Sequence, residues 1–166
     1  MHHQPDGAAF DVVLLLHVGS AVVGLVSMAA AAATASRLKR TLSSPAPLTE
    51  QLRRYYRPGF NWAGRFVYGI PVFGFALIAM SDGSYALGDG WVLTGLALFA
   101  AVAVLAEGLL WPAESRLKSA VAALEPATGP HPGAGPMDRD ATTVGRAAVA
   151  ALVLLLAGMV VMVAQP

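Results

Sequence analysis

No cysteine occurs in the 166 residues. That absence removes disulfides, thiolate metal sites, iron–sulfur clusters and thiol nucleophiles, so any bound metal or haem would have to use histidine, methionine or carboxylate. Charge is scarce as well: Asp, Glu, Lys and Arg make up 13% of the chain, against roughly 25% in an ordinary soluble domain. Aromatic residues are only 8%. A formal net charge of +1 gives no basis for nucleic-acid binding. What is present instead is a 56% apolar content, gathered into continuous Ala, Val and Leu tracts rather than the spaced stripes of a water-soluble core. The composition is that of a bilayer protein.

A helix crossing a hydrocarbon core of about 30 Å needs about 20 mainly apolar residues. Four stretches meet or approach that length: residues 12–35, 62–80, 91–111 and 142–164. The expected fold is therefore all-α, a single domain built as a four-helix transmembrane bundle in the cell membrane, with loops at 36–61 and 112–141. Ala33-Thr34-Ala35 resembles a leader cleavage site. No Lys or Arg precedes Val12, however, and the apolar run is longer than the usual 7 to 15 or so residues, so the first stretch reads as a span.

Basic residues mark the cytoplasmic loops, because moving them across the membrane is disfavoured. All eleven lie in or beside the first and third connections: Arg37, Lys39, Arg40, Arg53, Arg54, Arg57 and Arg65, then Arg116, Lys118, Arg139 and Arg146. The N-terminal tail, the turn at 81–90 and the C-terminal pair have none. This asymmetry predicts both termini on the outer side.

The first loop carries a helix signal of its own, with Ser44 as a cap, Pro45 at the first helical position, and Leu48, Leu52 and Tyr55 on one face. Arg53, Arg54 and Arg57 occupy the remainder. Such a segment is expected to lie on the membrane surface against anionic headgroups, each basic side chain adding on the order of 1 kcal/mol. Beyond Pro112 the third helix is expected to resume through Leu117, Val121 and Leu124. Residues 125–136 hold four prolines and three glycines, which predicts extended chain. Asp140 then caps the fourth helix.

Within the first span, His17, Ser20, Gly24, Ser27, Ala31 and Thr34 recur at alternating spacings of three and four and share one face. Small and weakly polar residues allow close helix approach in lipid, so this seam is expected to pack inward. His17 is the histidine inside a span, about 8 Å below the outer boundary at 1.5 Å per residue. Its candidate roles are a structural hydrogen bond to a neighbouring helix, a haem or copper ligand, or a proton-handling group. Met80, Met159 and Met162 end the second and fourth helices on the same side, which makes a His/Met site conceivable. His2 and His3 belong to the tail.

Near the opposite face, Arg65 enters the second helix and Glu107 leaves the third at a similar depth, with Arg146 close to the start of the fourth. The expected role is an interhelical ion pair, since pairing reduces the cost of charge in a span. A proton relay is the alternative. Around Tyr55-Tyr56-Arg57-Pro58-Gly59-Phe60-Asn61-Trp62, and at Trp91 and Trp111, aromatic rings sit where interfacial anchors belong.

The segment Leu14-Leu15-Leu16-His17-Val18-Gly19, the basic first loop and the short turn before Gly90-Trp91 together resemble four-helix membrane proteins related to the copper-resistance D family. The resemblance implies an all-helical bundle, with copper or haem handling at membrane histidines; of the residues such a site would need, only His17 is matched here. No nucleophile–base pair, paired catalytic carboxylates, phosphate-binding glycine loop or zinc spacing is present. The expected function is a non-catalytic subunit bound to lipid and to other membrane proteins, an accessory component of a respiratory or transport complex. The alternatives are a haem- or copper-binding redox protein using His17 and a small proton-coupled carrier using Glu107.

Overall fold

The computed structural model describes residues 7–44, 47–59, 61–124 and 134–164. Among these the chain is helical with short turns, and four helices are long and apolar enough to cross a membrane: Ala8–Leu42, Trp62–Ala79, Gly90–Ala123 and Gly135–Ala164. The chain is an all-α multi-pass membrane protein. In lipid each backbone N–H and C=O must be satisfied within its own segment, which leaves the helix as the solution for such runs. Only 11% to 22% of the most apolar window of each span is buried, so most side chains on these helices face outward, as a bilayer permits.

The first helix, α1 (Ala8–Leu42), outruns its apolar stretch by about two turns. Leu38 is fully buried, so the packed stripe continues past residue 35 and carries Arg37, Lys39 and Arg40 into helix. A short helix α2 (Glu50–Tyr55) follows, with the Thr49 side chain accepting from the Leu52 N–H. The start expected at Ser44 is thereby moved; Pro45 lies outside the described residues. Leu48, Leu52 and Tyr56 are buried, whereas Tyr55 is half-buried. This segment seats its apolar face in protein, with Arg54 and Arg57 exposed.

The second span is built from α3 (Trp62–Arg65), a 3₁₀ turn at Phe66–Tyr68 and α4 (Gly69–Ala79). Asn61 caps it, its Oδ1 accepting from Gly64 N at 3.1 Å. The tightening falls one turn ahead of Pro71, which has no N–H to return to the carbonyl four residues back. The turn that follows has left-handed Asp82 and Gly83. Buried Ser81 fastens it, Oγ donating to the Ile78 carbonyl at 2.8 Å and accepting from Tyr85 N at 3.2 Å.

The third span joins α5 (Gly90–Leu105) to α6 (Trp111–Ala123) through one wide π turn at Ala106–Leu110. The Trp111 N–H reaches Ala106 O, five residues back. Pro112 accounts for the extra width, since its ring clashes with the carbonyl four residues earlier in a regular helix. The helix does not stop at Trp111 and resume beyond Pro112; it runs on without a break, burying Leu117 and Val121.

The last helix, α7 (Ala134–Ala164), begins well before residue 142. Pro136 falls in its first turn, where a missing N–H costs no hydrogen bond. Asp140 is thus inside the helix and is not its cap. The rest of the proline–glycine run, residues 125–133, lies outside the described residues, as do His2 and His3.

The chain divides into two compact units: residues 1–27, 61–102 and 153–166 form the first, and 28–60 and 103–152 the second. In the second, buried apolar side chains are dense, among them Met28, Leu38, Tyr56, Leu110, Leu117 and Val144. The first buries few large side chains, Val67, Val92, Val102 and Leu155 among them.

Candidate functional site

In the first unit, α1 and the second span meet through small residues. A Cβ on Gly69 would overlap Ser20 Oγ, and one on Gly24 would sit 3.3 Å from Val67 Cγ2. Ser20 is buried, and its hydroxyl donates back to the Leu16 carbonyl at 2.8 Å. The close approach places His17 opposite Gly74, where a Cβ would lie 3.3 Å from the imidazole Cε1.

His17 Nδ1 stands 2.9 Å from the Ile70 carbonyl oxygen. A carbonyl oxygen only accepts, so Nδ1 carries the hydrogen, and in a neutral ring Nε2 is left with a lone pair. The backbone of the second span thereby sets the tautomer.

Two cavities meet at this ring. The larger, of about 550 Å³, is walled chiefly by aliphatic and aromatic side chains, including Phe10, Phe75, Tyr85 and Trp91, with Asp11, His17 and the Tyr85 phenol as its ionisable groups. Tyr85 and Trp91 pack edge to face with centroids 5.6 Å apart. The smaller, of about 160 Å³, is lined by His17 together with Met159, Met162 and apolar neighbours. The Met162 methyl occupies the space that a side chain at residue 95 would need.

The remaining seam residues divide between the units. Ser27 is half-buried in the first, whereas in the second Met28, Ala31 and Ala35 are buried and Thr34 is half-buried. Arg65 is half-buried in the first unit; Glu107, within the π turn, and Arg146 are exposed in the second. Arg53 turns inward, its Nη1 donating to Leu124 O at 3.3 Å, whereas Arg54 and Arg57 are exposed.

Sequence reasoning passed over the second unit's polar centre. Glu114 is 3% exposed and pairs with Lys118 at 3.0 Å. Lys118 also donates to Gly59 O at 3.2 Å. Tyr55 and Tyr56 pack edge to face beside this pair, and the Tyr56 hydroxyl is buried without a hydrogen-bond partner among the described residues. Burial, reinforced by the Glu114 carboxylate, pushes the Tyr55 phenol up to about 12. Burial raises Tyr56 as well, with the neighbouring Tyr55 adding to it. The i,i+4 spacing of Glu114 and Lys118 was legible in sequence; the burial was not. Nearer the surface, Arg116 forks onto Asp140 at 2.7 Å and Lys39 reaches Asp138 at 3.8 Å.

No protein-family model matches the chain, and comparison with curated proteins and with solved structures finds no significant match. Among the described residues no group of three or more His, Cys, Asp or Glu side chains is placed to hold a metal.

Proposed function

We propose that the protein is a non-catalytic membrane subunit whose working feature is the cavity at His17, where it holds a neutral lipophilic molecule bearing a hydroxyl group. The observation that carries this reading is the committed Nδ1–H···Ile70 bond in a largely apolar cavity of ligand size, since small-molecule sites run about 300 to 1,000 Å³ and use a few placed polar atoms. Nε2 accepts the ligand's O–H. Asp11 on the same wall disfavours fatty-acid carboxylates by like charge.

The test uses the purified protein in mild detergent with Trp62 and Trp111 replaced by Phe, so that Trp91 reports on the cavity. A lipophilic bromophenol should quench it saturably, and His17→Phe should weaken binding about fivefold, the worth of one hydrogen bond of about 1 kcal/mol. Quenching that rises without saturation, or equally in His17→Phe, would mean simple partitioning and sink the reading.

A second reading rests on the shared lining of the smaller cavity by His17, Met159 and Met162. Imidazole and thioether are donors suited to monovalent copper. Anaerobic Cu(I) titration against a chromophoric chelator separates the two: competition lost in Met159→Leu/Met162→Leu supports copper, and no competition by the parent protein excludes it.

A further inference from the structure

The strongest unassigned feature lies in the second unit, at the basic end of α1. There a cavity of about 370 Å³ is lined by Arg37, Arg40, Thr41, Thr49 and Gln51, with Thr34 and Leu52 completing the wall. Arg37 and Thr41 are one helical turn apart, and Arg40 flanks them, so two guanidiniums and a hydroxyl share one side of the helix. The connecting segment and α2 supply the facing hydroxyl and carboxamide.

No acidic residue is part of the lining. Arg37 makes no side-chain hydrogen bond or ion pair among the described residues, and Arg40 spends only Nε, on the Ser36 carbonyl at 3.3 Å. Elsewhere in this unit Lys39 is engaged with Asp138 and Thr142, Arg116 with Asp140, and Lys118 with Glu114. Asp138, Asp140 and Glu114 are used there, and Glu50, although it stands between Thr49 and Gln51, is exposed and is not part of the lining. Two guanidinium groups lining one cavity with hydroxyl and amide groups supply donors of the kind that match the oxygens of phosphate.

We infer that this cavity binds a phosphate group, most simply one carried on a membrane lipid headgroup. The apolar run of α1 ends near Ala35, two residues before Arg37, which puts the cavity at headgroup level by length alone. Arg37 and Arg40 are exposed, as are Arg54 and Arg57, but the latter pair lines no part of this cavity and its attraction for anionic lipid is diffuse.

The test measures binding to the full chain in neutral detergent, by native mass spectrometry and by thermal shift, with phosphatidic acid, phosphatidylcholine and inorganic phosphate as separate probes. Phosphatidic acid should bind and raise the melting temperature well beyond phosphatidylcholine. Arg37→Gln/Arg40→Gln should weaken binding on the order of tenfold or more per arginine, as expected for lost charge-assisted hydrogen bonds. Arg37→Lys/Arg40→Lys, which keeps charge and loses the fork, should also weaken it and serves if the first variant does not fold. Arg54→Gln/Arg57→Gln should change it little. A shift with inorganic phosphate of equal size identifies a free anion as the source and keeps the site. Equal binding in the parent and both Arg37/Arg40 variants, loss only in Arg54→Gln/Arg57→Gln, or no binding of either phosphate probe overturns it.

Discussion

His17 and Glu114 are the two residues whose surroundings depart furthest from those of a plain apolar helix, and each is held by a different physical device. The imidazole is held by a backbone carbonyl of another span, which costs no second polar side chain in the membrane. The carboxylate is held by Lys118 one turn along its own helix, with phenols closing over it. That closure has a pH consequence. Tyr55 has its phenol raised from 10 to about 12, so the folded state prefers the neutral form. The associated stability is fully present below pH 10, the unfolded value, and is lost as pH rises from there through 12. Titration followed by phenolate absorbance should show Tyr55 ionising late. In Glu114→Gln it should ionise earlier, because one of the two raising causes is gone while burial persists; an unchanged curve would remove Glu114 from the account.

At the scale of elements, the close contact of α1 with the second span rests on missing side chains. Gly69→Ala should destabilise the protein by about 1 to 3 kcal/mol, the usual cost of overpacking, because the new methyl meets Ser20. Gly88→Ala, in the turn with open space around it, should cost far less. Ser20→Ala should recover part of the Gly69→Ala loss, since it removes Oγ but leaves Cβ, so denaturation of the two single variants and the double variant will show non-additivity. Additive losses would mean that the two residues do not meet. The π turn before Pro112 follows the same logic of local cause: one missing N–H and one ring decide where a long helix widens.

For the molecule as a whole, the basic residues sort to one set of connections, and the lack of native cysteine makes sidedness directly measurable. Single cysteines at Gly7, Gly88 and Ser119, all exposed positions, provide the probes. In intact cells a membrane-impermeant maleimide should label Gly7→Cys and Gly88→Cys and leave Ser119→Cys unlabelled until the membrane is opened. The reverse pattern would invert the predicted topology.

Four long apolar runs separated by charge determined the helical class, the membrane setting and the approximate spans, because in lipid the backbone has few alternatives and hydropathy reads directly as burial in the bilayer. Helix ends were less legible. Leu38 and Met137 extend α1 and α7 by packing against protein, and sequence hydropathy does not distinguish a protein neighbour from lipid or water. The seam from His17 to Gly24 was visible as spacing, yet its partners Ile70, Gly69, Gly74 and Val67 depend on how two helices cross. Only the tertiary structure decided that His17 donates to a carbonyl and lines two cavities, that Tyr56 rather than Tyr55 is fully buried, and that Arg37 and Arg40 share a cavity free of acid. Each of these turns on distances between segments remote in sequence, whereas the spans themselves are local properties of the chain.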